Sequence, residues 1–321
     1  MVRWLGAAAV VTDQSGWLNF YRIDPADQPF ADDPDLWAKL RMPAGIRTAF
    51  RTDAPKLTLV TYAGADCAPV DVIVDGALAH RLPVPPGEST LHAPLPGRPA
   101  KVEVWLPQYG DFKIREPLLV GGDAVPADDN GLRWIAYGSS ITQCRTAAGP
   151  SETWPALVAR QHGWQLTCLG LGAQCHLDPV IARTIRRTPA ELISLCLGIN
   201  IYGKATFNRR SLRPHVAGFI HTIRDQQPET PIVVTTAIRS PKVDGNRNAA
   251  GMTLAEIRGE VAEAVHALAC VGDDNLHLVD GLLLLSTDEA EQLLPDGVHP
   301  SPDGYHLLAD RLAPILLDAI D

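Results

Sequence analysis

Apolar positions along this 321-residue chain follow two different periods on either side of a short polar stretch. Up to about residue 120, Pro and Gly break the sequence into short β-type runs such as Trp17–Ile23, Leu57–Tyr62 and Lys101–Leu106, with few helical patterns among them. Val70–Val74 and Ala77–Leu82 flank Asp75-Gly76. Asp-Gly between two such runs is a strong hairpin signal, because a type I′ turn needs φ > 0 at both central residues. The N-terminal run Met1–Val11 reads as one further strand, since its small residues arrive too early for a signal-peptide cleavage site. Short strands with recurring turn signals predict a β-sandwich of jelly-roll type over residues 1–125. Gly121–Asn130 is small, acidic and turn-forming, so it is expected to form no element and to mark the domain boundary.

Over 130–321 the pattern alternates. Arg133–Tyr137, Gln165–Leu169, Leu192–Leu197, Ile232–Thr236 and Leu276–Val279 are compact apolar runs expected to be strands. Amphipathic stretches lie between them. Leu254, Ile257, Val261, Val265 and Leu268 recur every three or four residues, and Leu212, Val216, Phe219, Ile220 and Ile223 follow the same register after Asn208. A last helix starts near Asp303. Strand and helix alternating five times predicts a parallel sheet of about five strands covered by helices on both faces.

Composition narrows the function. With 28 Lys and Arg against 37 Asp and Glu, the formal charge of −9 disfavours a grip on nucleic acid or an anionic membrane. No apolar run approaches the roughly 20 residues needed to span a bilayer, and a cytoplasmic protein is expected. The six cysteines, Cys67, Cys144, Cys168, Cys175, Cys196 and Cys270, form no CxxC pair and suit buried reduced thiols better than zinc or disulfides.

In an open α/β sheet the ligand crevice lies beyond the carboxyl ends of the strands. The turns there read Gly138-Ser139-Ser140-Ile141-Thr142, Gly170-Leu171-Gly172-Ala173-Gln174 and Gly198-Ile199-Asn200, with Asp296-Gly297-Val298-His299-Pro300 near the end. A serine hydroxyl needs a base to take its proton, and the base works best when an acid fixes its tautomer. Ser140, His299 and Asp296 could fill those roles. Negative charge developing on a carbonyl oxygen needs prearranged donors, for which the N–H groups of Ser140 and Ala173 and the Asn200 side-chain amide are candidates.

Together these four motifs, in this order over roughly 130–321, resemble the SGNH (GDSL-type) hydrolase superfamily, in the branch with an N-terminal β-sandwich that includes esterases and acyltransferases. The resemblance implies a flavodoxin-like three-layer α/β/α domain, Ser140 as nucleophile, Asp296 and His299 as its triad partners, and an oxyanion hole built from Ser140, Gly172, Ala173 and Asn200. Three positions depart from the family pattern. Ser139 stands where an Asp usually precedes the nucleophile, Ala173 stands at the oxyanion glycine, and Ile201 replaces the Asp that often follows the Asn. An alanine at negative φ still offers its N–H, so the hole is expected to survive with less conformational freedom.

Each motif alone is ordinary turn chemistry: Asp296 could form an Asx-turn, and Gly198 and Asn200 could be loop residues. Four at strand ends in one domain reverse that judgement. His176 and Asp178 lack a third metal ligand, and Asp178-Pro179 reads as an N-cap followed by a helix-starting proline. Arg145 and Trp154 could line a pocket, although Trp154 at a helix start suits core packing better. The expected function is a serine esterase acting on a small acyl ester, an acylated sugar or secondary metabolite among the options, with no metal or cofactor required. Acyl transfer by the same residues is the alternative. A glycan-binding protein without catalysis is a reading of a different class, and the complete set of motifs argues against it.

Overall fold

The computed structural model describes residues 3–127 and 130–321. The chain packs as two compact units, Met1–Gly131 with Ala148–Cys168 and Leu132–Ala147 with Leu169–Asp321. The first unit therefore also takes in the stretch Ala148–Cys168.

Two antiparallel sheets make up most of the first unit. One runs, in spatial order, Trp4–Leu5, Arg47–Thr52, Ala100–Trp105, Val70–Val74 and Ala77–Leu82. The other runs Leu118–Val120, Lys56–Ala63, Phe112–Ile114, Leu18–Tyr21 and Ala9–Thr12, with Gly87–Pro94 also on Lys56–Ala63. Alternation along Lys56–Ala63 turns Leu57, Leu59 and Ala63 into a core shared with Phe50, Val102 and Val104 of the first sheet. The Asp75-Gly76 hairpin forms where expected, with φ of +49° and +85°.

Three expectations for this region are corrected. The N-terminal run is two strands in different sheets, because Gly6 at φ +80° redirects the chain between them. Within the expected linker, Ala124–Pro126 pairs antiparallel with Arg47–Thr52 while its side chains stay exposed. Edge pairing uses backbone groups and needs no side-chain burial, so the pattern of apolar residues does not reveal it. Pro34–Leu40 is a helix that the β-rich reading overlooked. Asp33 caps it by accepting from Leu36 N–H, Pro34 opens it, and Leu36 and Leu40 are buried. Trp154, at the start of Trp154–His162, is core as expected.

One charged cluster anchors this unit. Asp71, fully buried on Val70–Val74, accepts from Arg81 Nε at 2.8 Å and Nη2 at 3.0 Å, and from Ser151 N–H at 3.1 Å and Oγ–H at 2.7 Å. Arg81 also donates to Glu152 at 2.6 Å. A buried carboxylate is tolerable because these donors replace its water.

β1 (Arg133–Gly138), β2 (Gln165–Gly170), β3 (Leu192–Leu197), β4 (Ile232–Thr236) and β5 (Leu276–Val279) form a sheet in the order β2-β1-β3-β4-β5, with Gln165–Cys168 of β2 inside the first unit's bounds and the rest inside the second's. The β1–β3, β3–β4 and β4–β5 pairs are parallel. Interleaved helices are α1 (Ser140–Gln143), α2 (Pro179–Arg187), α3 (Ile199–Lys204), α4 (Arg209–Arg224), α5 (Leu254–Cys270), α6 (Thr287–Leu293) and α7 (Pro302–Asp318). This is the three-layer α/β/α arrangement, and its order reverses at β1/β3, where such sheets open a crevice. The periodic positions of α4 and α5 are all buried, and α4 packs against both α2 and α5. Trp134 is buried on β1 and donates Nε1–H to Ser194 Oγ on β3 at 3.0 Å. No described helix is long and apolar enough to cross a membrane.

Removing one partner from a buried ion pair typically costs about 3 kcal/mol or more. Asp71→Ala is therefore expected to lower unfolding free energy by about that amount, read from a denaturant titration with unchanged slope. A loss below about 1 kcal/mol would contradict the anchoring role of this cluster.

Candidate active site

The turn after β1 is shaped by two small side chains. Ser139 N-caps α1, its Oγ accepting the Ile141 N–H at 3.2 Å, which makes Ser140 the first helical residue. Gly170 ends β2 directly against α1: a Cβ there would lie 2.3 Å from the Gln143 backbone nitrogen. Only glycine permits that approach.

The loop before α7 carries Asp296 and His299. Asp296 Oδ1 accepts the N–H groups of Val298 at 2.9 Å and His299 at 2.7 Å, while Oδ2 meets His299 Nδ1 at 2.7 Å. One carboxylate thus forms the Asx-turn and also holds the ring. Burial acts to raise the Asp296 pKa. Hydrogen bonds from the His299 imidazole and from the His299 and Val298 N–H groups outweigh it and bring the pKa down to about 2. An ionised carboxylate only accepts, so Nδ1 carries the ring proton and Nε2 of the neutral imidazole is left as acceptor. Ser140 Oγ stands 2.8 Å from that Nε2, positioned to donate its hydroxyl proton.

Neighbouring loops lock this geometry. Thr146 Oγ donates to the Pro300 carbonyl at 2.8 Å, and Ser240 Oγ to the Gly297 carbonyl at 2.8 Å. Ser240 N–H in turn donates to Asp244, whose other oxygen accepts from the buried Arg258 at 2.7 Å. Arg258 also donates to the carbonyls of Ala237 and Ile238.

Asn200 follows Gly198, whose φ of +132° and 3.0 Å clearance to Ala237 Cβ suit no other residue. Asn200 Oδ1 accepts the Cys175 N–H at 3.1 Å, which fixes the amide with its NH2 available for donation. Gly172 drops out of the expected donor set, because its N–H already donates to Gln143 Oε1 at 2.7 Å. Ala173 is also corrected. It sits at φ +61°, not at negative φ, a left-handed conformation costing roughly 1–2 kcal/mol for a residue with a Cβ. Among the described residues no acceptor engages the N–H of Ser140 or Ala173. Asp178 occupies the N-cap position of α2 with extended backbone, yet its side chain makes no capping bond there, contrary to expectation.

Comparison with known proteins gives the family. Residues 133–317 match the GDSL-like Lipase/Acylhydrolase family, and residues 36–115 match the SsfX3 N-terminal domain. The chain belongs to the GDSL-like lipase/acylhydrolase family. It is an enzyme of the SGNH hydrolase and acyltransferase class. Among solved structures, a salicylyl-acyltransferase, SsfX3, from a tetracycline biosynthetic pathway is 31% identical, with a TM-score of 0.91 over 99% of this chain and 94% of that one. A GDSL-like lipase structure from Bacteroides ovatus is 18% identical, with a TM-score of 0.83 over 99% and 96%. A family two carbohydrate esterase from Cellvibrio japonicus is 15% identical, with a TM-score of 0.67 over 100% and 95%, and shares the fold. A search of curated proteins gave no match.

Three side chains of this GDSL-family site escaped the sequence reading. Gln143, His176 and Thr206 touch the turns that carry the candidate donors, His176 lying 3.0 Å from the Ala173 carbonyl and 2.7 Å from Thr206 Oγ. His176 lies in the segment Leu169–Pro179 that resembles the family, where it was weighed only as a metal ligand, while Gln143 and Thr206 lie outside every motif.

The Asp296 geometry gives a pH prediction. In His299→Ala the imidazole bond is lost while the two backbone N–H groups remain, so the Asp296 carboxyl should titrate above about 2 yet below an ordinary aspartate. Carbon-13 NMR of the side-chain carboxyl checks this. An unmoved midpoint would mean that the ring bond does not hold Asp296 ionised.

Proposed function

We propose that this enzyme is a serine esterase that works through an acyl-enzyme on Ser140. The observation carrying the reading is the pair of hydrogen bonds from Asp296 through His299 to Ser140, at 2.7 and 2.8 Å. His299 Nε2 takes the hydroxyl proton as Ser140 Oγ attacks the ester carbon. The oxyanion is held by the N–H groups of Ser140 and Ala173 and by Asn200 Nδ2. The imidazolium, stabilised by Asp296, returns the proton to the leaving alcohol as the tetrahedral adduct collapses. Water then attacks the acyl-enzyme with His299 as base again. The substrate is a small acyl ester, of the kind found on acylated sugars or secondary metabolites.

A second reading, acyl transfer to a hydroxyl group of a small molecule, is supported by the 31% identity with the salicylyl-acyltransferase across nearly the whole chain. The residues are the same, and the deacylating alcohol replaces water. Product analysis with and without candidate acceptor alcohols separates the two: free acid alone supports hydrolysis, and a transferred ester supports acyl transfer.

Ser140→Ala is expected to abolish turnover of a short-chain aryl ester without loss of fold, while Ser139→Ala keeps most activity and loses about 1 kcal/mol of capping. The reverse pattern would move the nucleophile by one residue. Asn200→Ala should lower kcat about 100- to 1,000-fold with a smaller change in KM. An unchanged kcat removes Asn200 from the hole.

Asp296→Ala should retain more turnover than His299→Ala. An Asp296→Ala enzyme as inactive as His299→Ala would contradict this ranking.

A further inference from the structure

Ala173 is held by unusual means. A non-glycine residue persists at φ +61° only where its surroundings over-determine it. On one side, the Gly172 N–H is fixed by the buried Gln143 side chain at 2.7 Å. On the other, the Ala173 carbonyl meets His176 Nε2 at 3.0 Å. A carbonyl oxygen only accepts, so Nε2 must carry a proton, and Nδ1 of the neutral ring must accept. Thr206 Oγ, 2.7 Å from Nδ1, supplies a hydroxyl that can donate there and so satisfies the tautomer that the Ala173 carbonyl selects.

Thr206 lies just past α3, the helix that carries Asn200. The His176 ring therefore links the turn bearing the Ala173 N–H to the segment bearing the Asn200 amide. A second link runs parallel to it, from Cys175 N–H to Asn200 Oδ1 at 3.1 Å. Rotation of Ala173 toward ordinary negative φ would swing its N–H out of line, and the His176 bond to its carbonyl opposes that rotation.

We propose that His176, in the tautomer fixed by the Ala173 carbonyl and satisfied by Thr206, is a positioning residue that holds the Ala173 N–H in its oxyanion-stabilising direction. The proposal rests on the acyl-enzyme reading above. His176 does not touch the reacting atoms in this account, so the effect of losing it falls on kcat.

The test uses steady-state kinetics on an aryl ester with four variants of the full chain. His176→Phe keeps a flat ring but has no donor, and should lower kcat roughly ten- to hundredfold with KM within about twofold, the scale expected from a small misplacement of a donor. His176→Gln places an amide N–H near the Nε2 position and should recover most of the loss. Glycine adopts positive φ freely, so His176→Phe should cost much less in an Ala173→Gly background than in the native one, as judged against Ala173→Gly alone. A His176→Phe enzyme with native kcat overturns the proposal. So does a loss relieved by neither Gln nor the glycine background, which would mark a merely structural histidine. A native chain that hydrolyses no ester and takes up no phosphonate at Ser140 instead overturns the acyl-enzyme reading itself, and this proposal with it.

Discussion

A 2.8 Å hydrogen bond between Ser140 and His299 joins residues 159 positions apart, and the second unit is organised around keeping those two atoms at that distance. Parallel strands make this possible, since all their carboxyl ends lie along one edge and the loops that follow them converge. Convergence alone fixes nothing to within a few tenths of an ångström. That precision comes from the bonds between loops: Thr146 to the Pro300 carbonyl, Ser240 to the Gly297 carbonyl, and Arg258 through Asp244 to Ser240. Each replaces a loop's freedom with a bond to a rigid neighbour, the condition for a preorganised site.

The strain in the backbone has the same address. Five described non-glycine residues have positive φ, Asp75, Cys144, Ala173, Leu177 and Ala205. Asp75 belongs to the hairpin turn. The other four end α1, end α3, or lie in the turn after β2, the segments that carry Ser140, Asn200 and Ala173. Left-handed conformations outside glycine persist where surrounding bonds over-determine them, and here they collect around the candidate chemistry. The Leu177 N–H, for example, is held at 3.1 Å by the hydroxyl of the buried Tyr137.

Much of the fold was legible in the sequence because burial and periodicity are the same physical fact. Leu192–Leu197, Ile232–Thr236 and Leu276–Val279 were read to the residue, since strands covered on both faces are continuous apolar runs. The Asp75-Gly76 hairpin was equally plain. Ala124–Pro126 was not, because an edge strand with exposed side chains leaves no apolar signature. Ser140, Asp296, His299 and Asn200 stood out through motif spacing. Gln143 did not, and His176 was marked only by its place in the family segment and not by a role, because their contribution lies in which backbone group they bond. Nor could sequence reveal that the Gly172 N–H is taken and that Ala173 adopts positive φ.

The central claim is that Ser140 becomes covalently acylated. Brief exposure of the native chain to a panel of activated esters, followed by intact-mass measurement and peptide mapping, tests it most directly. The account predicts a single adduct, of the mass of the acyl group, on the peptide containing Ser140 and absent from Ser140→Ala. Ester turnover with no adduct at any exposure time, or an adduct that persists in Ser140→Ala, would contradict it.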